Sequence, residues 1–407
     1  MPETFTNAIN TILNHIKPTA PENIFLDGAL GRVLATPVKA PWDIPRWDNS
    51  AMDGYAIHAA DSSCQCQLQV TGFIAAGETA QDLEVSPGTA VKIMTGAPTP
   101  PGCAAVVPVE NTREDSGKII IEKPVPLGSH IRWQSEDIQQ QQVVLKQGTI
   151  LQAPHINLLA SLGFAQVSVS MQPRIAILAT GDELVELGQT PGESQIINSN
   201  SYALAAAVKE AGGVPVMLGT ARDCRQSLLE KLHAGQQADM LITSAGISAG
   251  DRDLVRQVLD ELGLEIHFWK VDIKPGRPTA FGQIRGVPTF CLPGNPVASI
   301  LTFEAFVRPA LRKMTGHQHF FRPVRQGRLE HEVKRKSGRR EFMRVLVTEN
   351  SKGELFVSSA GDQNTGIMST MVRANGVAIL PEDRGNLLAG EYVTLFLLNP
   401  AEPLEQV

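Results

Sequence analysis

Between residues 174 and 314 an apolar run, a loop of small and polar residues and a segment of helical period follow one another repeatedly. The apolar runs are 175–179, 214–218, 240–243 and 289–292, and the helical segments are 202–211, 227–233, 254–262 and 297–314. Near-continuous apolar strands separated by helices require a sheet buried on both faces, so the alternation predicts an α/β, doubly wound parallel sheet. In such sheets ligands sit beyond the carboxyl ends of the strands. The loops there carry Thr180, Asp182 and Glu183; Asp223; Ser244, Gly246, Ser248, Asp251 and Asp253; and Pro293-Gly294-Asn295-Pro296.

The stretch 241–253, L-I-T-S-A-G-I-S-A-G-D-R-D, is the most pointed of these. Small residues let backbone N–H groups approach an anion closely, and paired carboxylates suit a hard cation. Together they indicate phosphate and Mg²⁺. Asp223, Asp251 and Asp253 are the candidate metal ligands, and Glu183 is suited to act as a base or to orient water. Taken singly, Asp182, Asp223 and Ser248 could each be helix N-caps. The positive side is K-V-D-I-K-P-G-R-P (270–278): Lys270 and Lys274 lie an even number apart, so an extended chain shows both on one face. Prolines then hold Lys274 and Arg277 in a stiff turn suited to an anion. P-G-N-P opens a helix, another anion-binding arrangement.

At 407 residues, roughly two to four domains are expected. Residues 1–41 with 138–170 read as an N-terminal helical and linker part, 42–137 as an inserted small β domain, 171–318 as the α/β domain and 319–407 as a C-terminal β domain. Phe5, Ile9, Ile12, Leu13 and Ile16 share one helical face, and no basic leader precedes them, so the N-terminus reads as structure rather than signal peptide. No apolar run approaches the ~20 residues of a membrane span. A net charge of −6 gives no general attraction to nucleic acid, and the basic run 334–340, bracketed by Glu332 and Glu341, reads as a solvated hairpin tip. The cysteines at 64, 66, 103, 224 and 291 are scattered, which predicts reduced thiols and a cytoplasmic protein.

Within the β domain, N-S-A-M-D-G-Y places Asp53 among small residues just before a strand-like run. An acid there exceeds what a solvated loop needs. I-M-T-G-A-P delivers the Thr95 hydroxyl into a tight turn, where it could serve merely as a turn cap. Arg132 and Asp137 flank Trp133 nearby. Walker, dinucleotide-binding, nucleophile-elbow and zinc-protease motifs do not occur.

Taken together, N-S-A-M-D-G-Y-A (49–56), I-M-T-G-A-P (93–98), S-E-D-I (135–138), T-G-D-E-L (180–184), I-x-N-S-N (196–200), T-S-x-G-I-S-x-G-D-x-D (243–253), I-K-P-G-x-P (273–278) and L-P-G-N-P-V (292–297) stand in one order. That set resembles the molybdopterin molybdenumtransferase family, the bacterial MoeA proteins and the gephyrin E domain. The resemblance implies a molybdopterin-binding-like α/β domain and a β-barrel-like C-terminal domain. It implies insertion of molybdate into adenylylated molybdopterin, with Mg²⁺-dependent release of AMP. It also implies a homodimer with its active site shared between subunits, and contact with the molybdopterin adenylyltransferase and with cofactor-accepting apo-enzymes. The matching positions are Asp53, Thr95, Arg132, Asp137, Glu183, Asp223, Asp253, Lys270, Lys274, Pro293, Pro296 and Arg344. Asp53, Thr95, Asp137, Glu183 and Lys274 are the expected catalytic set. Arg132, Ser244, Gly246, Ser248, Lys270, Arg277, Pro293, Gly294, Asn295, Pro296 and Arg344 are the expected substrate contacts. Ala245 stands where the family usually has Gly, which strains any φ above zero there, and Arg277 often appears as Lys.

Two other readings stand beside this one. A molybdopterin adenylyltransferase would share the α/β domain but not the extra β domains. A gephyrin-like scaffold would carry a long linker or trimerising domain, which this sequence lacks.

Overall fold

The computed structural model describes residues 2–63, 65–245, 254–399 and 404–405. The chain forms two compact units. One comprises Met1–Ala35, Gly148–Leu151 and Val167–Val407; the other comprises Thr36–Gln147 and Gln152–Gln166.

In the larger unit a six-stranded sheet has the spatial order Val214–Ala221, Arg174–Thr180, Met240–Ser244, Val287–Leu292, Ala280–Ile284, Leu264–Phe268. The first four strands run parallel. The last two do not: Ala280–Ile284 is antiparallel to both of its neighbours, so the sheet is mixed at one edge. The physical reason is connection length. Ala280–Ile284 and Val287–Leu292 are joined by a two-residue turn, which can only form a hairpin, whereas parallel neighbours need a long crossover.

Alternate residues of each parallel strand enter opposite cores, as period-2 geometry requires. Ile175, Ile177, Ile242 and Phe290 pack on one side with Leu204, Val208 and Phe303. Ala176, Leu178, Leu241 and Cys291 pack on the other with Leu228, Leu232, Val258 and Leu259. Helices Ser199–Glu210 and Pro296–Thr302 therefore cover one face, and Arg225–Gly235 and Leu254–Glu261 the other. The expected long helix from 297 to 314 is present but widens into a π turn at Phe303–Val307 before continuing as Arg308–Met314. The N-terminal helix Phe5–His15 is capped by Thr4, and its buried Ala8, Ile9 and Ile12 join the first of these cores. Its apolar stripe is thus part of the α/β body.

The C-terminal strands close on themselves. Arg340–Glu349, Leu355–Ser359, Val324–Leu329, Tyr392–Leu397 and Gly376–Leu380 pair in that order, and the last returns to the first. The barrel leaves no free edge among these strands and is filled by residues such as Val345, Val347, Val357, Ala378 and Leu395. A short strand, Ile273–Lys274, joins its outside, parallel to Arg340–Glu341.

The smaller unit is a mixed six-stranded sheet, ordered Ala105–Pro108, Gly54–Ile57, Thr89–Ile93, Gln67–Ile74, Lys118–Ile121, Thr112–Asp115. It also contains helix Ala153–Ser161. Among the described residues no helix is long and apolar enough to cross a membrane.

Candidate active site

In the smaller unit the N-S-A-M-D-G loop is stitched to its neighbours by backbone pairing. Asn49–Ser50 pairs antiparallel with Ile131–Arg132. Gly96 N donates to Ser50 O at 2.8 Å, and Ser50 N donates to Ala97 O at 3.0 Å. The turn at Thr95-Gly96 is closed by Ala97 N on Met94 O at 3.0 Å. Its third position needs a positive φ, and Gly96 supplies it at 82°. This turn presents both the backbone N–H and the hydroxyl of Thr95 to Asp53 Oδ1, each at 2.7 Å. Thr95 is therefore a donor to Asp53, not just a turn cap. The two hydrogen bonds, the backbone one first, hold the Asp53 carboxyl below its ordinary value. Gly54 follows because a Cβ there would stand 2.1 Å from Val107 O. Arg132 and Asp137 are exposed, and among the described residues their charged groups have no hydrogen-bond or ion-pair partner. The loop pairing thus brings Asp53, Thr95 and Arg132 into adjoining segments. Asp137 lies five residues beyond Arg132, where its backbone N–H bonds Ile44 O at 3.1 Å.

In the larger unit the sheet order makes Arg174–Thr180 and Met240–Ser244 the point where connections diverge to opposite sides. Ligand crevices of open α/β sheets form at that position. A cleft of about 430 Å³ lies there, lined by Glu183, Asn198–Asn200, Ser244, Ala245, Pro278 and Pro293–Pro296. Five separate chain segments expected from the sequence meet around it. Asn200 joins two of them, its Nδ2 donating to Ser244 Oγ at 3.0 Å and to Gly294 O at 2.7 Å. Asn295 precedes helix Pro296–Thr302 without capping it, so its amide is not spent on the helix. Ala245 adopts φ 72°, the left-handed conformation that its side chain disfavours.

A neighbouring cleft of about 650 Å³ is lined by Gly181, Asp182, Thr220, Arg222, Asp223 and Cys224. Asp223 N donates to Asp182 Oδ1 at 3.2 Å, and the helix that follows has Cys224 at its N-cap position. The Asp223 carboxylate is therefore not a helix cap.

Three family models match consecutive parts of the chain: MoeA N-terminal region (domain I and II) over 3–163, a probable molybdopterin binding domain over 176–313, and MoeA C-terminal region (domain IV) over 326–398. The molybdopterin molybdenumtransferase of Haemophilus influenzae is 37% identical over 383 residues, covering 93% of this chain and 94% of its own. That of a Nostoc species is 36% identical, covering 93% of this chain and 88% of its own. A crystal structure of a molybdopterin biosynthesis MoeA protein from Pyrococcus horikoshii superposes with a TM-score of 0.82 at 30% identity, covering 98% of this chain and all of that one.

The chain belongs to the molybdopterin molybdenumtransferase family. It is a transferase of molybdenum cofactor biosynthesis.

Within that family frame, several expectations change. Lys270 and Lys274 are not two positions of one straight strand. Ile273 N bonds Val271 O at 2.9 Å, a tight turn between them, and Lys270 is half-buried with its carbonyl receiving Glu3 N at 2.8 Å. Lys274 Nζ instead meets Glu341 at 2.9 Å, and Arg277 lies 3.6 Å from Asp272.

Arg344, expected as a substrate contact, is enclosed in the barrel domain. It is 1% exposed, and all five of its N–H donors are used inside the barrel domain. They reach Ile367 O, Asp362 O, Asn364 O, Gln363 Oε1 and Thr370 Oγ1. Burial lowers its pKa from the ordinary value.

The basic run is not wholly solvated either, because the Arg335 side chain is 2% exposed. Gly246, Ser248, Asp251 and Asp253 lie outside the described residues. Asn200 and Glu341 were not singled out from the sequence. Asn200 had a signal in I-x-N-S-N, whereas Glu341 read as the border of a charge run.

Among the described residues no three His, Cys, Asp or Glu side chains gather closely enough to hold a metal ion. Mg²⁺ needs only one or two carboxylates, with substrate oxygens or water completing the shell. Asp223 and Asp182, hard oxygen donors on one cleft, fit that requirement.

Proposed function

We propose that the chain inserts molybdate into adenylylated molybdopterin and releases AMP. The observation that carries the reading is the convergence of Glu183, Ser244, Asn295 and the P-G-N-P turn on one cleft at the sheet's switch point, beside the Asp182–Asp223 cleft. The first offers amide and hydroxyl donors for an anionic ligand; the second offers carboxylates for a cation.

Mg²⁺, held by Asp223 with Asp182, would neutralise charge on the pyrophosphate link as it breaks. The chain's own groups do the rest. Lys274 binds molybdate, a dianion, as a point charge. Glu183 orients the attacking water and accepts its proton as the phosphoanhydride P–O bond breaks and AMP leaves with the bonding electrons. Asp53 is held ionised by Thr95, so it stays a charged acceptor. The sulfurs that take molybdenum belong to the substrate, so no protein thiolate is required.

The proposal includes a cytoplasmic homodimer that receives its substrate from the molybdopterin adenylyltransferase and passes its product to apo-enzymes. Purified protein with Mg²⁺, molybdate and adenylylated molybdopterin is expected to release AMP. AMP no higher than in the protein-free control overturns the reading, and pyrophosphate release from ATP and molybdopterin would favour the adenylyltransferase instead. Mixing inactive Asp53→Ala and Lys274→Ala chains is expected to recover part of the activity, as a site shared between subunits requires.

A further inference from the structure

Lys274 is a long, flexible cation, and its ammonium is fixed from outside its own domain. Ile273–Lys274 pairs in parallel register with Arg340–Glu341, setting Lys274 opposite Glu341. The carboxylate is bridged: Oε1 lies 2.9 Å from Lys274 Nζ and Oε2 lies 3.2 Å from Arg335 Nε. Glu341 and Arg335 side chains are 10% and 2% exposed, while Lys274 is 58% exposed. Arg335 is itself immobilised by the carbonyls of Pro381, Arg384 and Arg339 at 2.6, 2.7 and 2.6 Å. The rigid part of this triad thus lies in the barrel, and its free end is the lysine.

We infer that Glu341 is a positioning residue that holds the Lys274 ammonium ready for the molybdate dianion, so that a carboxylate of the C-terminal barrel aids anion binding through the lysine. The inference rests on the reading of Lys274 as the molybdate ligand. Its electrostatics favour that sense. Arg335 offsets the charge of Glu341, so the triad as a whole carries one positive charge towards solvent. An ammonium has three donors, and one spent on Glu341 leaves two for an oxyanion. Fixing the lysine in advance removes part of the rotamer entropy otherwise lost on binding. Its loss is expected to weaken binding about tenfold, since a free lysine side chain carries entropy of that order.

The test measures molybdate binding by equilibrium dialysis and steady-state AMP release for four variants of the full chain: Glu341→Gln, Glu341→Asp, Lys274→Ala and the Glu341→Gln/Lys274→Ala double variant. Glu341→Asp retains the charge opposite Arg335 but withdraws it from Lys274, which guards against loss of fold in Glu341→Gln. The expected result is about a tenfold rise in molybdate Kd and KM for both Glu341 variants, an unchanged KM for adenylylated molybdopterin, and a double variant no weaker than Lys274→Ala alone. If Lys274→Ala weakens molybdate binding but neither Glu341 variant does, or if the effects add, the positioning role is overturned while the lysine reading stands. If Lys274→Ala leaves molybdate binding unchanged, the lysine reading fails and the positioning role with it.

Discussion

Replacing Arg344 with Met separates a structural arginine from a substrate-binding one. The side chain is fully enclosed, and its five N–H groups are bonded within the barrel domain. Met fills much of the volume but donates nothing. Two of the acceptors keep other partners: Ile367 O still receives Thr370 Oγ1 at 2.7 Å, and Gln363 Oε1 still receives Arg344 N at 3.0 Å. The carbonyls of Asp362 and Asn364 lose the arginine donors shown for them. A fully buried acceptor left unpaired costs about 1–3 kcal/mol, but Asp362 and Asn364 are exposed residues, so water recovers part of that. Relief from burying a guanidinium without a bonded carboxylate offsets part of that. The net expectation is about 1.5 kcal/mol of destabilisation, which moves a urea midpoint down by about 0.5 M for a denaturant slope near 3 kcal/mol/M. Urea unfolding followed by tryptophan fluorescence and by far-UV circular dichroism measures the loss, and AMP release below the transition measures the site. The substrate KM should be unchanged. An unchanged midpoint with a raised KM would falsify the structural assignment and return Arg344 to the site.

Three further outcomes follow from the geometry. Asp53 has a folded pKa below its ordinary value, so its contribution to stability is present above the unfolded pKa and is lost as pH falls through the folded one. Carboxyl NMR titration should show that pKa rising in Thr95→Val, which keeps the backbone N–H but loses the hydroxyl, and no rise would remove the hydroxyl bond as one of its causes. Burial, reinforced by Arg312, pushes His317 from 6.5 down to about 4, so the unfolded chain binds the extra proton between those values. Stability should therefore rise with pH across that window, by at most about 3 kcal/mol at 1.36 kcal/mol per unit; a slope unaltered in His317→Gln would contradict the assignment. Ala245→Gly relieves a left-handed alanine costing about 1–2 kcal/mol, less about 0.5–1 kcal/mol for glycine's freedom in the unfolded chain. A rise in stability of about 0.5–1 kcal/mol is expected in thermal unfolding, and a fall would mean the methyl contributes packing that outweighs the strain.

Much of the fold was visible in one dimension because burial leaves a local period. The strand runs at 175–179 and 240–243, the helical stripe through Ile9 and Ile12, and the loops at their ends needed only that periodicity. The antiparallel edge at Ala280–Ile284 was not visible, because a short apolar run does not state the direction of its partner. Asp53 and Thr95 stood out as separate oddities. Their hydrogen bonds depend on Asn49–Ser50 lying between two other segments, which sequence spacing does not encode.

The sequence by itself determined the family, the alternation of elements and which loops carry acids, amides and small residues. These are properties of neighbouring residues, set by side-chain period and turn chemistry. Only the tertiary structure decided what each charge faces. Lys274 meets Glu341, sixty-seven positions further along, and Arg335 is buried within a run that looks solvated. Arg344 spends every donor inside its own domain. An electrostatic partner is chosen by distance in space, and for these residues that distance is fixed by barrel closure and by one short strand pairing.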